Sequence, residues 1–157
     1  MPPARKRKNE RIDELIREFR VSGNQDDAFD NLAAQRLGVS ETDLHCLNII
    51  ENAGGVTAGE LAAESGLTTG AVTGVIDRLE KKGFARRVSD PADRRRVKVE
   101  VTKAFYSRAD KIWGPVAAEW ASSLERFSGE QLDSFNQILR ATNEITRRHL
   151  DRLREMR

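Results

Sequence analysis

The sequence predicts a mainly α-helical protein that carries one small β-hairpin. Over most of the 157 residues, apolar side chains recur every three or four positions, which is the spacing of one helix face. Between residues 84 and 101 the apolar spacing changes to two, which is typical of strands. Capping boxes at 57–60 and 128–131, each a Ser or Thr followed three residues later by Glu or Gln, mark two helix starts.

Two helices are predicted ahead of the first capping box. The first covers about 8–37, with a bend or a break expected at 22–24, where Ser, Gly and Asn follow one another. Gly38 ends this helix. Ser40 offers an N-cap to the second helix, which continues to about Asn52 and stops at a Gly-Gly pair.

The next two helices are short and closely joined. The capping box at 57–60 opens a helix that reaches Ser65, and Gly66 supplies the turn after it. Thr68 then caps a helix over 69–82, whose apolar residues form a single stripe. Two short helices joined by a tight, glycine-containing turn are the helix-turn-helix arrangement.

A hairpin and two long helices complete the chain. Residues 84–88 and 97–101 alternate apolar with charged side chains, and a charged turn separates them. The last two helices begin near residues 103 and 129, and the pair Gly114-Pro115 is expected to kink the first of them. The whole pattern therefore predicts a winged helix-turn-helix lobe flanked by long helices.

The charge is distributed unevenly along the chain. The formal net charge is only +2, from 27 basic and 25 acidic side chains. Residues 24–68 carry one arginine against eight carboxylates, whereas residues 78–98 carry nine basic side chains against three acidic ones. Such a basic segment favours an anionic partner, most plausibly nucleic acid, although a solvated charged surface would have the same composition.

The position of the basic segment favours double-stranded DNA as the partner. The second helix of a helix-turn-helix fits the major groove, and a basic hairpin reaches phosphates or the adjacent minor groove. The candidate DNA-reading residues on the helix are Thr68, Thr69, Gly70, Thr73, Gly74 and Arg78, and those on the wing are Arg94, Arg95 and Arg96.

Composition argues against several other classes of protein. A single cysteine and two histidines do not suit a disulfide framework or a His/Cys metal site, and they fit the reducing cytoplasm. No apolar run approaches the roughly 18 residues that a membrane-spanning helix needs. Without a nucleophile–base–acid set or a glycine-rich phosphate loop, we expect neither an enzyme nor a bound cofactor.

Two segments resemble the MarR family of bacterial transcription regulators. They are the helix-turn-helix at 61–84 and the wing at 90–102, where Asp93-Arg94-Arg95 precedes a valine-rich strand that ends in Thr102. The wing is the more specific of the two, because helix-turn-helix patterns alone are common. The resemblance is strong over 40–102, and outside it only the layout of the helices fits.

This resemblance implies more than the residues show alone. It implies a homodimer in which 1–37 and 103–157 form a helical dimerisation domain and 38–102 forms the DNA-binding lobe. Such regulators bind pseudo-palindromic operators, usually as repressors, and often release DNA when a phenolic or lipophilic anion, a metal or an oxidant acts on them. In the family Asp93 pairs with a wing arginine, here Arg95. Many members have Arg where this chain has Gly74.

Alternatives to a ligand-responsive DNA-binding repressor stay open. A winged helix can serve as a protein-interaction module, and Cys46 could make the protein a redox-responsive regulator. Cys46 lies inside an apolar run, which favours an inert buried thiol. The ligand is unknown, and Trp113, Trp120 and His45 are the candidate ligand-binding residues, although roles in packing or at the surface would explain all three.

Overall fold

The computed structural model describes residues 7–90, 93 and 96–156. Within these ranges the chain forms six helices, α1 (Lys8–Leu37), α2 (Glu41–Asn52), α3 (Ala58–Ser65), α4 (Thr69–Lys81), α5 (Lys103–Leu124) and α6 (Gly129–Glu155). Three strands accompany them, β1 (Val56–Thr57), β2 (Ala85–Ser89) and β3 (Val97–Val101). The predicted mainly α-helical fold with a small hairpin wing is confirmed.

The predicted caps set the helix boundaries. Ser40, Thr57, Thr68 and Ser128 each accept a hydrogen bond from the backbone N–H three residues further on, which satisfies a donor that the first helical turn leaves free. The closing glycine of α1, Gly38, adopts the left-handed conformation with φ 66°. Local capping chemistry therefore places these helices within one residue of their predicted limits.

Two helices continue through positions where the sequence predicted a bend or a break in α1 and a kink in α5. α1 runs without a break through Gly23, and α5 runs through Gly114 and Pro115. A single glycine costs a helix only about 1 kcal/mol, which a 30-residue helix tolerates. The proline removes one backbone hydrogen bond, and Pro115 is exposed, where water can replace the lost donor.

The sheet has one strand more than the sequence indicated. All three strands are antiparallel in the order β1-β3-β2, with Val56 opposite Val99 and Ala85 opposite Val101. Strand β1 has two residues, too few to display an alternating pattern. The hairpin is closed beyond the strands by a hydrogen bond from the Asp90 N–H to the Arg96 carbonyl, 2.9 Å long.

The hydrophobic core lies inside the winged-helix lobe. The predicted stripe of α4 is fully buried, and the Phe84 and Phe105 rings meet in this core with their centroids 5.8 Å apart. The C-terminal end of α1 joins the same core, while α6 contributes no buried residue. The predicted division between a dimerisation domain and the lobe stays a prediction. The buried apolar residues are Ala33, Ala34, Leu37, Leu44, Cys46, Leu47, Ile50, Val56, Leu61, Val72, Val75, Ile76, Leu79, Phe84, Ala85, Val99 and Phe105.

The long helices expose apolar side chains that the lobe does not cover. They are Ile12, Leu15, Ile16, Val21 and Leu32 on α1, Trp120 and Leu124 on α5, and Phe135, Ile138, Ile145, Leu150 and Leu153 on α6. So many exposed apolar side chains are typical of helices that pack against a partner. None of the helices in the described ranges is long and apolar enough to cross a membrane.

Candidate nucleic-acid interface

Helix α4 presents a polar face of small residues to solvent. Its apolar stripe anchors the opposite side in the core, so that Thr69, Gly70 and Thr73 are exposed and Gly74 is half-buried. Thr68 caps the helix by accepting a hydrogen bond from the Ala71 N–H at 3.2 Å. Five of the six helix residues predicted to read DNA therefore lie on or beside one accessible face.

The glycines of this face are not required by the protein's own packing. A Cβ added at Gly70 would meet no atom within 4 Å, and one at Gly74 would meet only Arg78 Nη1, at an ordinary 3.5 Å. The Thr73 hydroxyl donates to the Thr69 carbonyl at 3.0 Å, which leaves its methyl group and its acceptor lone pairs available. The face is shaped for close approach by another molecule.

Arg78 differs from the rest of the predicted set. Its Nη2 lies 2.5 Å from Asp43 Oδ1 and its Nε lies 3.3 Å from Oδ2, which is a two-pronged contact with helix α2. The Asp43 side chain is only 7% exposed, whereas that of Arg78 is 57% exposed. Burial raises the pKa of Asp43, but the hydrogen bonds from Arg78 and Ser40 outweigh it, and the net pKa is lowered.

The structure describes only part of the wing. Arg94 and Arg95 lie outside the described residues, so the predicted contact of Asp93 with Arg95 stays a prediction. The Asp93 carbonyl accepts a hydrogen bond from the Arg96 N–H at 2.8 Å. The Arg96 guanidinium donates to Glu60 Oε1 at 2.8 Å, so it faces helix α3 here.

Much of the basic charge is paired within the lobe. Arg87 forms ion pairs with Asp77 and Glu80 of α4, and Arg86 faces Glu100 across the sheet at 3.1 Å. Further along, Lys98 lies 3.1 Å from Asp90. Counting charges along the sequence therefore overstated the free positive charge. The Arg86–Glu100 pair follows from the hairpin register, which places the two residues opposite each other and which the structure supplies.

Cys46 is fully buried in α2. Desolvation, followed by the negative charge of Asp43, raises the pKa of its thiol to about 11. The reactive form of cysteine is the thiolate, which is scarce near neutral pH at such a pKa. This environment favours the inert structural thiol over the redox-responsive alternative.

Cys46 is expected to resist thiol reagents in the folded protein. We expect it to react with an aromatic disulfide reagent at pH 8 at least about 100-fold more slowly in the native state than in denaturant, because the native thiol is buried and protonated. Absorbance of the released thiolate measures both rates. Equal rates in the two conditions would contradict the burial and revive the redox alternative.

The structure separates the three candidate ligand-binding residues. Trp113 is half-buried against Phe29, with ring centroids 6.0 Å apart. Trp120 is 62% exposed and lies about two helical turns further along α5. His45 is exposed on α2, beside the C-terminal end of α6. The two tryptophans therefore do not form one site within a single chain.

Trp113 lines a cleft of about 540 Å³ between α2 and α5. The cleft has three aromatic walls and two carboxylates, and none of its lining residues is basic. Its lining residues are Asn48, Glu51, Phe105, Tyr106, Ala109, Asp110, Trp113, Gly114 and Ala117. In the described part of the chain, no group of three or more His, Cys, Asp or Glu side chains is arranged to hold a metal ion.

Comparisons with known proteins agree with this geometry. A sequence model described as the MarR family matches residues 39–97. The chain is 35% identical over 137 residues to the HTH-type transcriptional regulator YcgE of Bacillus subtilis (strain 168), which covers 87% of this chain and 89% of YcgE. It is 29% identical over 80 residues to the HTH-type transcriptional repressor YetL of the same organism, which covers 51% of this chain and 48% of YetL.

A solved structure shares the fold. The crystal structure of a MepR mutant from a multidrug-resistant S. aureus clinical isolate superposes with a TM-score of 0.68 and covers 84% of this chain and 96% of MepR. The two sequences are 16% identical, so this likeness shows the fold alone.

Proposed function

Because this chain belongs to the MarR family of transcriptional regulators, which are not enzymes, we propose that it is a cytoplasmic, ligand-responsive repressor that binds a pseudo-palindromic operator as a homodimer. The observation that carries the proposal is the exposed face of α4, the recognition helix. It offers two threonines and two glycines on a helix whose other side is anchored in the core. A relative, YetL, is named as a repressor.

The apolar surface of the long helices supports the homodimer. Their apolar side chains are exposed in the described part of one chain, and a two-fold partner would bury the same surface on both copies. Two-fold symmetry of the protein then requires two-fold symmetry of the site. The operator half-sites are expected about one helical turn, ~10 bp, apart or a multiple of it.

The wing supplies contacts that do not depend on sequence. In the sequence, Arg94 and Arg95 fall between the two strands of the hairpin beside Arg96, and adjacent positive charges favour an anionic partner. Phosphates that line the minor groove are that partner, and a narrow groove strengthens the field that an inserted guanidinium feels. The family resemblance implies that Asp93 accepts hydrogen bonds from Arg95 and so orients the guanidinium towards the groove.

Selection of bound duplexes, followed by titration at several salt concentrations, tests this function. We expect recovery of an inverted repeat, and a decrease of several units in log K per unit of log salt concentration. Recovery of asymmetric single half-sites would contradict the proposal that the protein binds its operator as a homodimer. An absence of duplex binding at low salt would favour the protein-interaction module.

Thr73→Ala is expected to lower affinity for the selected operator by about 1–3 kcal/mol and to affect random duplexes much less. Thr73 is exposed, and its methyl group and hydroxyl lone pairs are available to a base edge. Their loss should therefore weaken binding to the sequence whose bases they contact. Fluorescence anisotropy with the two duplexes measures the difference. Equal losses on both would show that Thr73 only positions the backbone, and Ser107→Ala, on the exposed side of α5, is the control.

The cleft beside Trp113 is the proposed effector site, and it favours a cation. An aromatic cation would gain attraction from ring faces and carboxylates together, whereas the anionic effectors that the family resemblance implies would face Glu51 and Asp110. The cleft has the size of small-molecule sites in other proteins. Its position between α2 and α5 lets a ligand act on the lobe and a long helix at once.

An aryl-ammonium compound is therefore expected to bind more tightly than the aryl-carboxylate of the same ring size. Quenching of Trp113 fluorescence measures binding, with Trp120→Phe as the background so that one tryptophan reports. Glu51→Gln is expected to reduce the preference for the cation several-fold, since it removes one of the two carboxylates. Equal affinity for both compounds would contradict the cation preference.

A further inference from the structure

We propose that Arg78 and Lys82 are positioning residues that fix the recognition helix against the elbow between α1 and α2, instead of contacting DNA themselves. The elbow is defined as residues 37–43, where α1 ends and α2 begins. The proposal rests on the operator binding proposed above. It changes the role assigned to Arg78. The sequence predicted this residue to be among the DNA-reading residues because it lies on the recognition helix.

The first attachment is the ion pair between Arg78 and Asp43. Asp43 lies in the first turn of α2, and its carboxylate meets Arg78 through two hydrogen bonds, at 2.5 and 3.3 Å. A planar guanidinium held at two points by a carboxylate has its orientation fixed as well as its position. Because the Asp43 side chain is only 7% exposed, loss of Arg78 would leave a carboxylate with little access to water.

The second attachment joins Lys82 to the end of α1. Lys82 follows the last residue of α4, and its Nζ donates to the Leu37 carbonyl at 3.4 Å. That carbonyl belongs to the last turn of α1, where acceptors lack helical partners and a cation is favoured. The approach is close, since a Cβ placed at Gly38 would lie 2.9 Å from the same Nζ.

The two attachments lie on one side of the recognition helix. Residues four apart in a helix are neighbours on the same face, so Arg78 and Lys82 contact the elbow one helical turn apart. The buried stripe holds one side of the helix in the core, and the two polar contacts fix its orientation relative to the elbow. The recognition helix is thereby joined to α1, whose other surface carries exposed apolar side chains available to a second copy.

A DNA-contacting role for Arg78 makes opposite predictions. If Arg78 touched a phosphate, Asp43 would compete with DNA for it, and removing the aspartate charge would tighten binding. If Arg78 positions the helix, loss of either partner should misplace the threonine face and weaken only sequence-specific binding. Asp43 discriminates between the two roles because it is too buried to touch DNA.

The experiment measures affinity for the selected operator and for a random duplex across a salt series. The variants are Asp43→Asn, Arg78→Gln, their double variant and Lys82→Met, which keeps the aliphatic stem and removes the ammonium. We expect each single variant to lose roughly tenfold on the operator, with random-duplex affinity and salt slope unchanged. The double variant should lose no more than either single change, since both remove one interaction.

Matched controls carry the same charge changes at exposed positions. Glu41→Gln neutralises an acid on α2, and Lys81→Gln neutralises a base beside Lys82. Neither is expected to change the ratio of specific to random affinity. Far-ultraviolet circular dichroism and sedimentation test whether each variant keeps the fold and the oligomeric state of the parent. Lys82→Met leaves the buried carboxylate intact, so it still tests the proposal if Asp43→Asn does not fold.

Three results would overturn the proposal. Arg78→Gln could weaken both duplexes alike and reduce the salt slope by about one, which is the signature of a phosphate contact. Asp43→Asn could bind more tightly than the parent, or variants at both attachments could leave the operator affinity unchanged. Failure of the proposed function looks different, because the unmodified protein would then prefer no sequence.

Discussion

Phe135→Asp is expected to convert the protein to a monomer and to lower its operator affinity by at least roughly 100-fold. Phe135 lies on α6 and is 46% exposed in one chain. It lines an apolar groove with Leu124, Phe127, Leu132 and Ile138 at the junction of α5 and α6. A carboxylate placed on this surface would have to lose its water when a second copy covers the groove, which is costly for an unpaired charge.

The loss of affinity follows from the loss of one lobe. In a dimer, binding of the first lobe holds the second close to its half-site, so the second contact costs little additional entropy. A monomer has one recognition helix and one wing for a single half-site. The substitution leaves the lobe intact, because α6 contributes no residue to the buried core.

Asn136→Asp is the matched control for this prediction. It introduces the same charge one position along the same helix, in place of an exposed polar side chain. Sedimentation equilibrium at micromolar concentration should report a monomer for Phe135→Asp and a dimer for Asn136→Asp. A Phe135→Asp protein that remains dimeric would move the dimer contact away from this groove.

Local signals explain how much of the fold could be predicted. The helix limits depend on hydroxyl caps such as Ser40 and Thr57, whose partners are three residues away in the sequence. The hairpin followed from alternation on both strands. Strand β1 could not be found this way, because Val56 pairs with Val99, which is more than forty positions away in the sequence. The break considered at 22–24 in α1 does not occur, because one unfavourable residue does not end a long helix.

The accessible face of α4 could be predicted from the sequence, whereas its ion pairs could not. The exposed face of α4 follows from its apolar stripe, so Thr69 and Thr73 could be assigned from the sequence. The partner of Arg78 could not, since Asp43 is 35 residues away and its burial depends on how α2 packs. Sequence spacing shows which side chains leave a helix face, whereas ion pairs between helices require the tertiary arrangement.

Phe105→Ala is expected to lower the free energy of unfolding by about 3–5 kcal/mol, a large part of the 5–15 kcal/mol typical of a domain. Phe105 is 1% exposed, and its ring lies in the core beside Phe84. Phe105 lies in the first turn of α5, which Thr102 caps. The Thr102 hydroxyl also donates a hydrogen bond to the Gly83 carbonyl at 2.6 Å. The truncation therefore leaves a cavity where α5 joins the base of the wing.

Tyr106→Ala is the control for this cavity, because Tyr106 is the neighbouring aromatic residue and is 45% exposed. Urea unfolding at one fixed protein concentration should show a large decrease in midpoint for Phe105→Ala and a change below about 1 kcal/mol for Tyr106→Ala. The cost depends on how far the surrounding side chains can collapse into the space. Equal losses for the two variants would show that the Phe84–Phe105 contact does not hold α5 to the lobe.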